Sequence, residues 1–275
     1  MNTAVWRLIS TYGTIFFTIF ICETISFWFY PVAILILANQ YSTLMLLGHE
    51  GVHGVLHKNR FVNRAFARYF CHFPFLISHT HYSMNHLRHH RYLGTNDDPD
   101  SNIYKQSYPS FSKWVAISIR DTINFSLLRR FLSYFNGSKS YFDGKYPYNI
   151  KTDYLSFYCF WALVVASVFF FGVQNYFSIY WSFPLILSMP WIQLMNSYQH
   201  YSEDGPIAGL AYNIILQNKL QKYLFPININ FHEVHHQRPD IPYYELPLHY
   251  VKSQNSIVFS EFSKRVFSGR TNKSL

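Results

Sequence analysis

Cysteine is scarce in this sequence, and its placement excludes the folds that depend on it. The 275 residues include three cysteines, Cys22, Cys71 and Cys159, which lie far apart, inside or beside apolar stretches. This spacing fits neither a disulfide framework nor a zinc ribbon, and it suits a reducing compartment. We expect three buried thiols.

Charged residues are also few, at 13% of the chain, and those present are unbalanced toward lysine and arginine, with a net charge of +9. Such an excess could indicate a nucleic-acid partner. However, the sequence has no basic run of nucleic-acid type and no base-stacking motif. A membrane surface is therefore the expected partner, and nucleic acid is not.

Long apolar blocks are what the chain has in quantity, although its mean hydropathy of -0.02 conceals them. Glu23 interrupts the first block; its carboxyl group could be hydrogen-bonded inside the helix bundle or touch a substrate channel, and we expect the former. A cleaved signal peptide is the alternative interpretation of this block, but no convincing cleavage site follows it. The blocks predict four membrane spans in two hairpins, at about 8–29, 31–47, 154–173 and 176–195.

The positions of the basic residues predict the topology. Apart from Arg7, every lysine and arginine falls between Lys58 and Lys151 or after Lys219. Basic residues accumulate on the cytoplasmic side of membrane proteins, so we expect 48–153, 196–275 and both termini to be cytoplasmic. The fold class predicted is an all-α integral membrane bundle, one domain over 1–275, whose cytosolic helical cap carries the histidines. Segment 101–153 mixes aromatic residues with basic ones, which favours amphipathic helices that lie on anionic lipid. The basic residues include Lys113, Arg120, Arg129, Arg130 and Lys139.

Most of the fourteen histidines fall into three short clusters. Residues 48–53 read GHEGVH, and a helix would present both of its imidazoles on one face. Residues 86–90 read HLRHH and residues 232–236 read HEVHH, so the i, i+3, i+4 spacing occurs twice. On a helix this spacing aligns two rings and displaces the third by about 100°, so that one helix could serve two metal ions.

So many imidazoles packed together would repel one another if charged and would lack partners if neutral, unless they bind metal. Eight to ten nitrogen ligands exceed the needs of one ion, which implies a two-metal centre, and two irons fit best. By contrast, we interpret the isolated histidines as ordinary hydrogen-bonded core residues: His57, His72, His79, His81 and His249.

The order HxxxH, HxxHH, HxxHH between two hairpins resembles the membrane fatty acid desaturase superfamily. The resemblance extends to 89–94 (HHRYLG) with its acidic sequel 97–100 (DDPD), to the proline and aromatic segment 239–247, and to 196–200 (NSYQH). It covers most of the chain. HxxxH rather than HxxxxH in the first box differs from animal acyl-CoA desaturases, and is nearer to acyl-lipid or carotenoid-modifying members.

The resemblance implies a ligand set, with Asn196 bound through water. The direct metal ligands that it implies are His49, His53, His86, His89, His90, His200, His232, His235 and His236. It also implies O2 as co-substrate and removal of hydrogen from an unactivated methylene of a fatty acyl chain. A carotenoid ketolase or hydroxylase, or a lipid hydroxylase, could use the same centre.

Electrons for such a reaction must come from a separate protein. The sequence has no haem-binding HPGG, no cysteine set for an iron–sulfur cluster and no GxGxxG loop. The family's usual donors are ferredoxin or a cytochrome b5-like protein, and a basic cytoplasmic face would attract either acidic partner.

Two other classes of protein compete with this interpretation. Residues 49–53 and 232–236 match HExxH, the zinc metalloprotease signature, in which Glu50 would be the general base. A protease leaves the 86–90 cluster and His200 unexplained, since it needs three ligands for one zinc. A metal transporter needs ionisable groups deep in several spans, and Glu23 is poor support for that.

Overall fold

The computed structural model describes residues 3–101, 112, 116, 150–200, 207–252 and 255–267, and these are mostly helical. Most of 101–153 lies outside the described residues. The amphipathic helices that we predicted there, with Lys113, Arg120, Arg129, Arg130 and Lys139, therefore stay a prediction.

The first hairpin consists of α1 (Thr3–Thr24), a short 3-10 helix (Phe27–Phe29) and α2 (Tyr30–Val52). Ser26 caps the turn by accepting a hydrogen bond from the backbone N–H of Trp28. At 1.5 Å per residue, each long helix could cross an apolar layer of about 30 Å. Both are long and apolar enough to span a membrane.

A third candidate span lies in α5 (Ile150–Phe170), between Thr152 and Phe170. The fourth expected span, 176–195, is not confirmed. There the chain forms α6 (Gln174–Phe177), a π-helix (Ser178–Ser182) and α7 (Phe183–Gln199), which has 17 residues and contains Pro190. The π-helix packs into the bundle, where the Tyr180 hydroxyl donates to the Glu23 carboxylate as expected for that acid.

Between the two hairpins, α3 (Arg60–Phe66), a π-helix (Ala67–His72) and a 3-10 helix (Phe73–Phe75) lead into α4 (His79–Tyr92). The π-helix packs closely on the end of α2. A Cβ atom at Gly48 would lie 2.4 Å from the His72 ring, and one at Gly51 would lie 2.2 Å from the Cβ of Ala67. Two glycines thus permit the close approach that buries the last turns of α2 on all sides.

The C-terminal part combines short helices with two parallel strands. The strands β1 (Asn213–Ile215) and β2 (Ser256–Val258) pair in the register Asn213↔Ser256, Ile214↔Ile257 and Ile215↔Val258. The backbone N–H of Tyr212 donates to the carbonyl of Gln199, so β1 starts against the end of α7. The helices are α8 (Gln221–Leu224), a 3-10 helix (Pro226–Asn228), α9 (His232–Gln237), α10 (Leu246–His249) and α11 (Phe259–Phe267).

The expectation of three buried thiols is wrong for one of them. Cys22 and Cys71 are buried, but Cys159 is exposed. Cys159 lies on α5 midway between Leu155 and Leu163, which are 63% and 69% exposed. Residues four apart share a helix face, so Cys159 lies on the outward-facing side of this candidate span.

Candidate metal centre

Nine histidines from four parts of the chain converge at one end of the helix pair α2 and α7. His49 and His53 come from the end of α2, His200 follows α7, and the other six lie on α4 and α9. They form two adjacent groups. The five-histidine group is His49, His53, His86, His90 and His235. The four-histidine group consists of His89, His200 and His236, together with His232, whose Nε2 lies 2.9 Å from that of His200.

The ligand atoms of the five-histidine group lie within 4.8 Å of one another. Nε2 of His86 is 2.9 Å from Nε2 of both His53 and His90. Nε2 of His90 is in turn 3.1 Å from Nε2 of His235. The His49 ring lies against those of His86 and His235, with centroids 4.3 and 4.5 Å away.

The four-histidine group has the same character. Nε2 of His200 is 3.2 Å from Nε2 of His89 and 2.9 Å from Nε2 of His232. Nε2 of His236 is 3.1 Å from Nε2 of His232. The His236 ring also stacks on that of His90, with centroids 4.2 Å apart, so the two groups touch.

Helices α4 and α9 each serve both groups. On α4, His86 and His90 belong to the five-histidine group and His89 to the other; on α9, His232 and His236 belong to the four-histidine group and His235 to the other. The residues four apart stay together and the intermediate one turns away, because successive helical residues are rotated by about 100°. Helix α4 therefore gives two rings to the five-histidine group and one to the four-histidine group, and α9 does the reverse.

The Nε2 contacts cannot be satisfied as hydrogen bonds alone. A neutral imidazole nitrogen either donates or accepts, yet Nε2 of His86 and of His90 each face two others. Burial, together with the charge of the neighbouring histidines, lowers the pKa of His53 to about 2 and that of His90 to about 3, which opposes protonation. Burial likewise lowers the pKa of His200 to about 3. Neutral rings with converging lone pairs suit a cation.

The nitrogen spacing also suits a metal ion. With metal–nitrogen bonds of about 2.0–2.1 Å, neighbouring ligand nitrogens are about 2.9 Å apart at right angles and about 3.3 Å apart in a tetrahedron. The Nε2 pairs in both groups are separated by 2.9–3.2 Å. Each group is thus a fitting donor set for one first-row transition metal, and imidazole ligands suit iron, copper, nickel and zinc alike.

Oxygen atoms behind the rings fix the orientation of two of these histidines. Nδ1 of His89 lies 3.0 Å from the carboxylate of Asp98, and Nδ1 of His200 lies 3.1 Å from the carbonyl of Leu210. A proton on Nδ1 leaves Nε2 free to bind metal. Nδ1 of His232 is buried and makes no hydrogen bond within the described parts of the chain.

The acids of the two HE pairs hold other segments in place. The Glu50 carboxylate accepts the backbone N–H of Tyr243 at 2.9 Å, whereas Nδ1 of His49 is 3.7 Å away. The Glu233 carboxylate accepts hydrogen bonds from the side-chain amides of Asn213, Gln237 and Asn255. Asn213 and Asn255 were not expected at this site, because nothing in the spacing of these asparagines points to a histidine cluster elsewhere in the chain.

Asn196 lies one turn before His200 on α7, and its side chain is exposed rather than buried with the histidines. Of the isolated histidines, His72 and His79 are buried, with their Nδ1 atoms 2.9 Å apart, as core histidines should be. His249 is exposed, so a core role for it is wrong. It lies at the end of α10, whose Leu248 is 81% exposed as well.

Comparison with known proteins adds to this geometry. The family model described as "Fatty acid desaturase" matches residues 5–261. The chain is 24% identical to the dihydrorhizobitoxine desaturase of Bradyrhizobium elkanii over 241 residues, which cover 81% of this chain and 67% of that protein.

Proposed function

The chain belongs to the fatty acid desaturase family and is a desaturase-type oxidoreductase, and we propose that it uses two iron ions and O2 to introduce a double bond into a fatty acyl chain of a lipid. The observation that carries this proposal is the convergence of nine imidazoles in two touching groups. Neighbouring Nε2 atoms of eight of them are 2.9–3.2 Å apart, and the ring of the ninth, His49, lies against those of His86 and His235.

In this proposal the five-histidine group would hold one iron and the four-histidine group would hold the other. Asn196 would complete the second site through water, as the family resemblance implies. Two iron ions would supply the reductive activation of O2 that removal of hydrogen from an unactivated methylene demands. The polypeptide keeps the imidazoles neutral by burial, directs their Nε2 atoms inward, and holds the rings through Asp98 and the Leu210 carbonyl.

Desaturation is favoured over hydroxylation or ketolation because both the family description and the related protein name desaturases. The zinc metalloprotease alternative is less well supported. A protease site needs two histidines, a third ligand and a carboxylate free to activate water. Here His49 and His53 share their group with three further histidines, and the Glu50 carboxylate accepts a backbone N–H.

We further propose one domain of four spans, with the histidine cap and both termini on the cytoplasmic side. The basic residues outside the spans support this orientation. On that side, exposed cations such as Lys58, Arg60 and Lys252 suit an acidic electron donor, a ferredoxin or a cytochrome b5-like protein.

The proposal is tested by expressing the chain and its His89→Ala variant in a host that lacks such enzymes, and by profiling lipids and pigments. We expect a new acyl double bond with the unchanged chain, no product with His89→Ala, and about two irons per purified chain. An altered carotenoid with unchanged acyl chains would replace acyl desaturation with ketolation or hydroxylation. No new product, with two zinc ions recovered, would overturn the oxygenase assignment.

A further inference from the structure

Segment 219–224 combines basic and apolar side chains on one exposed stretch. Leu220 is 74% exposed and Tyr223 is 70% exposed. Lys219 and Lys222 are exposed beside them. Large apolar groups that remain in contact with water are unfavourable, whereas the same groups next to lysines are typical of segments that lie at a membrane interface.

Two hydrogen bonds fix the position of this segment along the helix bundle. The Asn39 side chain on α2 donates to the carbonyl of Tyr223, and the Trp191 indole on α7 donates to the carbonyl of Leu224 at 2.6 Å. Asn39 precedes His49 by ten residues and Trp191 precedes His200 by nine. At 1.5 Å per residue, both helices place the segment about 14–15 Å from the histidines, toward the hairpin turns.

The surface next to these anchor points is apolar on both helices. Leu35 and Ile36 on α2 are 61% and 37% exposed and share a helix face with Asn39, being four and three residues before it. Leu187 on α7 is 43% exposed and lies four residues before Trp191. The exposed side chains of segment 219–224 therefore continue the apolar surface of a candidate membrane span.

We propose that segment 219–224 is a membrane-contact segment that reaches down the flank of α2 and α7 into the bilayer. Leu220 and Tyr223 contact the acyl region, while the ammonium groups of Lys219 and Lys222 are directed toward the headgroups of acidic lipids on the histidine-bearing side, since lysine can bury its stem in the apolar region. This places part of the region 196–275, which was expected to be cytosolic throughout, within the membrane. The proposal depends on neither the metal ions nor the reaction.

The first test measures the depth of single labels in nanodiscs. A Cys159→Ser chain receives Tyr223→Cys, or Leu248→Cys as the matched control. Leu248 is apolar and 81% exposed, against 70% for Tyr223, but it lies on α10, five residues after Tyr243, whose backbone N–H donates to Glu50. A bimane label at 223 should be quenched at least threefold more by lipids with a nitroxide on the acyl chain than a label at 248. Equal quenching, or stronger quenching at 223 by a water-soluble nitroxide, would overturn the proposal.

A second test removes the charges and leaves the apolar groups in place. The melting temperature of the whole protein is compared in nanodiscs of acidic and of zwitterionic phospholipid. We expect the double variant Lys219→Gln, Lys222→Gln to lose at least half of the rise in melting temperature that acidic lipid gives, and the control double variant Lys58→Gln, Lys252→Gln to keep it. An equal loss in both double variants would show a general effect of surface charge and would contradict a specific role of Lys219 and Lys222 in binding acidic lipid. Protection of the label at 223 from both quenchers would indicate a protein partner and contradict membrane contact.

Discussion

At the scale of single residues, the carboxylates around the histidines differ in what they hold. Asp98 binds a histidine directly and also accepts the backbone N–H groups of Gly94 and Asp100. One short acidic side chain therefore shapes the turn after α4 and orients the His89 ring. Asp98 thus both forms the turn and supports a histidine.

Asp98→Asn should lower metal affinity and product formation by about 10–100-fold, because the amide is a weaker acceptor for the Nδ1 proton of His89. Metal content of the purified protein and product formation in cells are the measurements. Asp97→Asn is the matched control, since its side chain is 69% exposed and lies 3.7 Å from Arg88. If both variants retain their metal alike, Asp98 has no orienting role.

Glu50→Gln distinguishes a desaturase from a metalloprotease. The amide oxygen can still accept the N–H of Tyr243, so we expect product formation to fall but to remain measurable. A general base in a protease would lose its catalysis outright with the same change. Complete loss of product while both metal ions remain bound would contradict the positioning role assigned to Glu50.

At the scale of secondary-structure elements, close packing at the end of α2 decides where two of the histidines lie. His72, on the adjoining π-helix, occupies the space that a side chain at position 48 would need. His49 follows directly. The spacing GHEGVH predicts a helix with two aligned imidazoles, but the need for glycine at its first position arises only from the neighbouring element.

Gly48→Ala should destabilise the fold by about 1–3 kcal/mol, because the new methyl group overlaps the His72 ring and crowds Cys71, and both of these residues are buried. Gly13→Ala on α1 is the control, with nothing within 4 Å of its added Cβ; it should be neutral or stabilise by up to about 1 kcal/mol. Melting temperatures in the same detergent compare the two. An unchanged melting temperature and metal content for Gly48→Ala would contradict this account of the packing.

Strand β1 relates the last two histidine-bearing segments to each other. It starts against the end of α7, and its Asn213 side chain binds both Glu233 and the backbone N–H of Val234 on α9. Strand β1 thereby fixes the position of His200 relative to the histidines of α9. A strand of three residues is too short to be recognised from alternation of apolar and polar residues.

At the scale of the whole molecule, the buried histidines make stability depend on pH. Burial lowers the pKa of His90 and of His200 from an ordinary value of 6.5 to about 3. The unfolded chain then binds more protons than the folded chain between pH 6.5 and about 3, so the free energy of unfolding falls as the pH is lowered through this range. Above pH 6.5 both imidazoles are neutral in the folded and in the unfolded chain, so they do not lower the free energy of unfolding there.

The metal-free protein should therefore melt at a lower temperature at pH 5.5 than at pH 7.5, and metal affinity should weaken in the same direction because protons compete for the same nitrogens. Melting curves of chelator-treated protein at pH 7.5, 6.5 and 5.5 are the measurement, with the His249→Gln variant, which lacks an exposed histidine, as a control expected to behave like the unchanged chain. A melting temperature that stays constant over this range would contradict the burial of neutral histidines.

The sequence by itself determined the helical, membrane-type character of the chain and the clustering of its histidines. Apolar blocks, the positions of basic residues and the three histidine spacings depend on composition and on helical periodicity, which are local properties, and they predict a helical membrane protein with clustered imidazoles. The i, i+3, i+4 spacing even predicts how α4 and α9 divide their rings, because a helix fixes the angle between successive side chains.

Only the tertiary structure decided which rings meet. His235 joins the group of His49 and His86, while Asn213 and Asn255 bind Glu233, through contacts between residues far apart in the chain. Such contacts depend on how whole elements pack, and no local pattern encodes them. The same reason explains why Cys159 and His249 are exposed although their surroundings in the sequence are apolar or aromatic: exposure is set by which face of an element finds a neighbour.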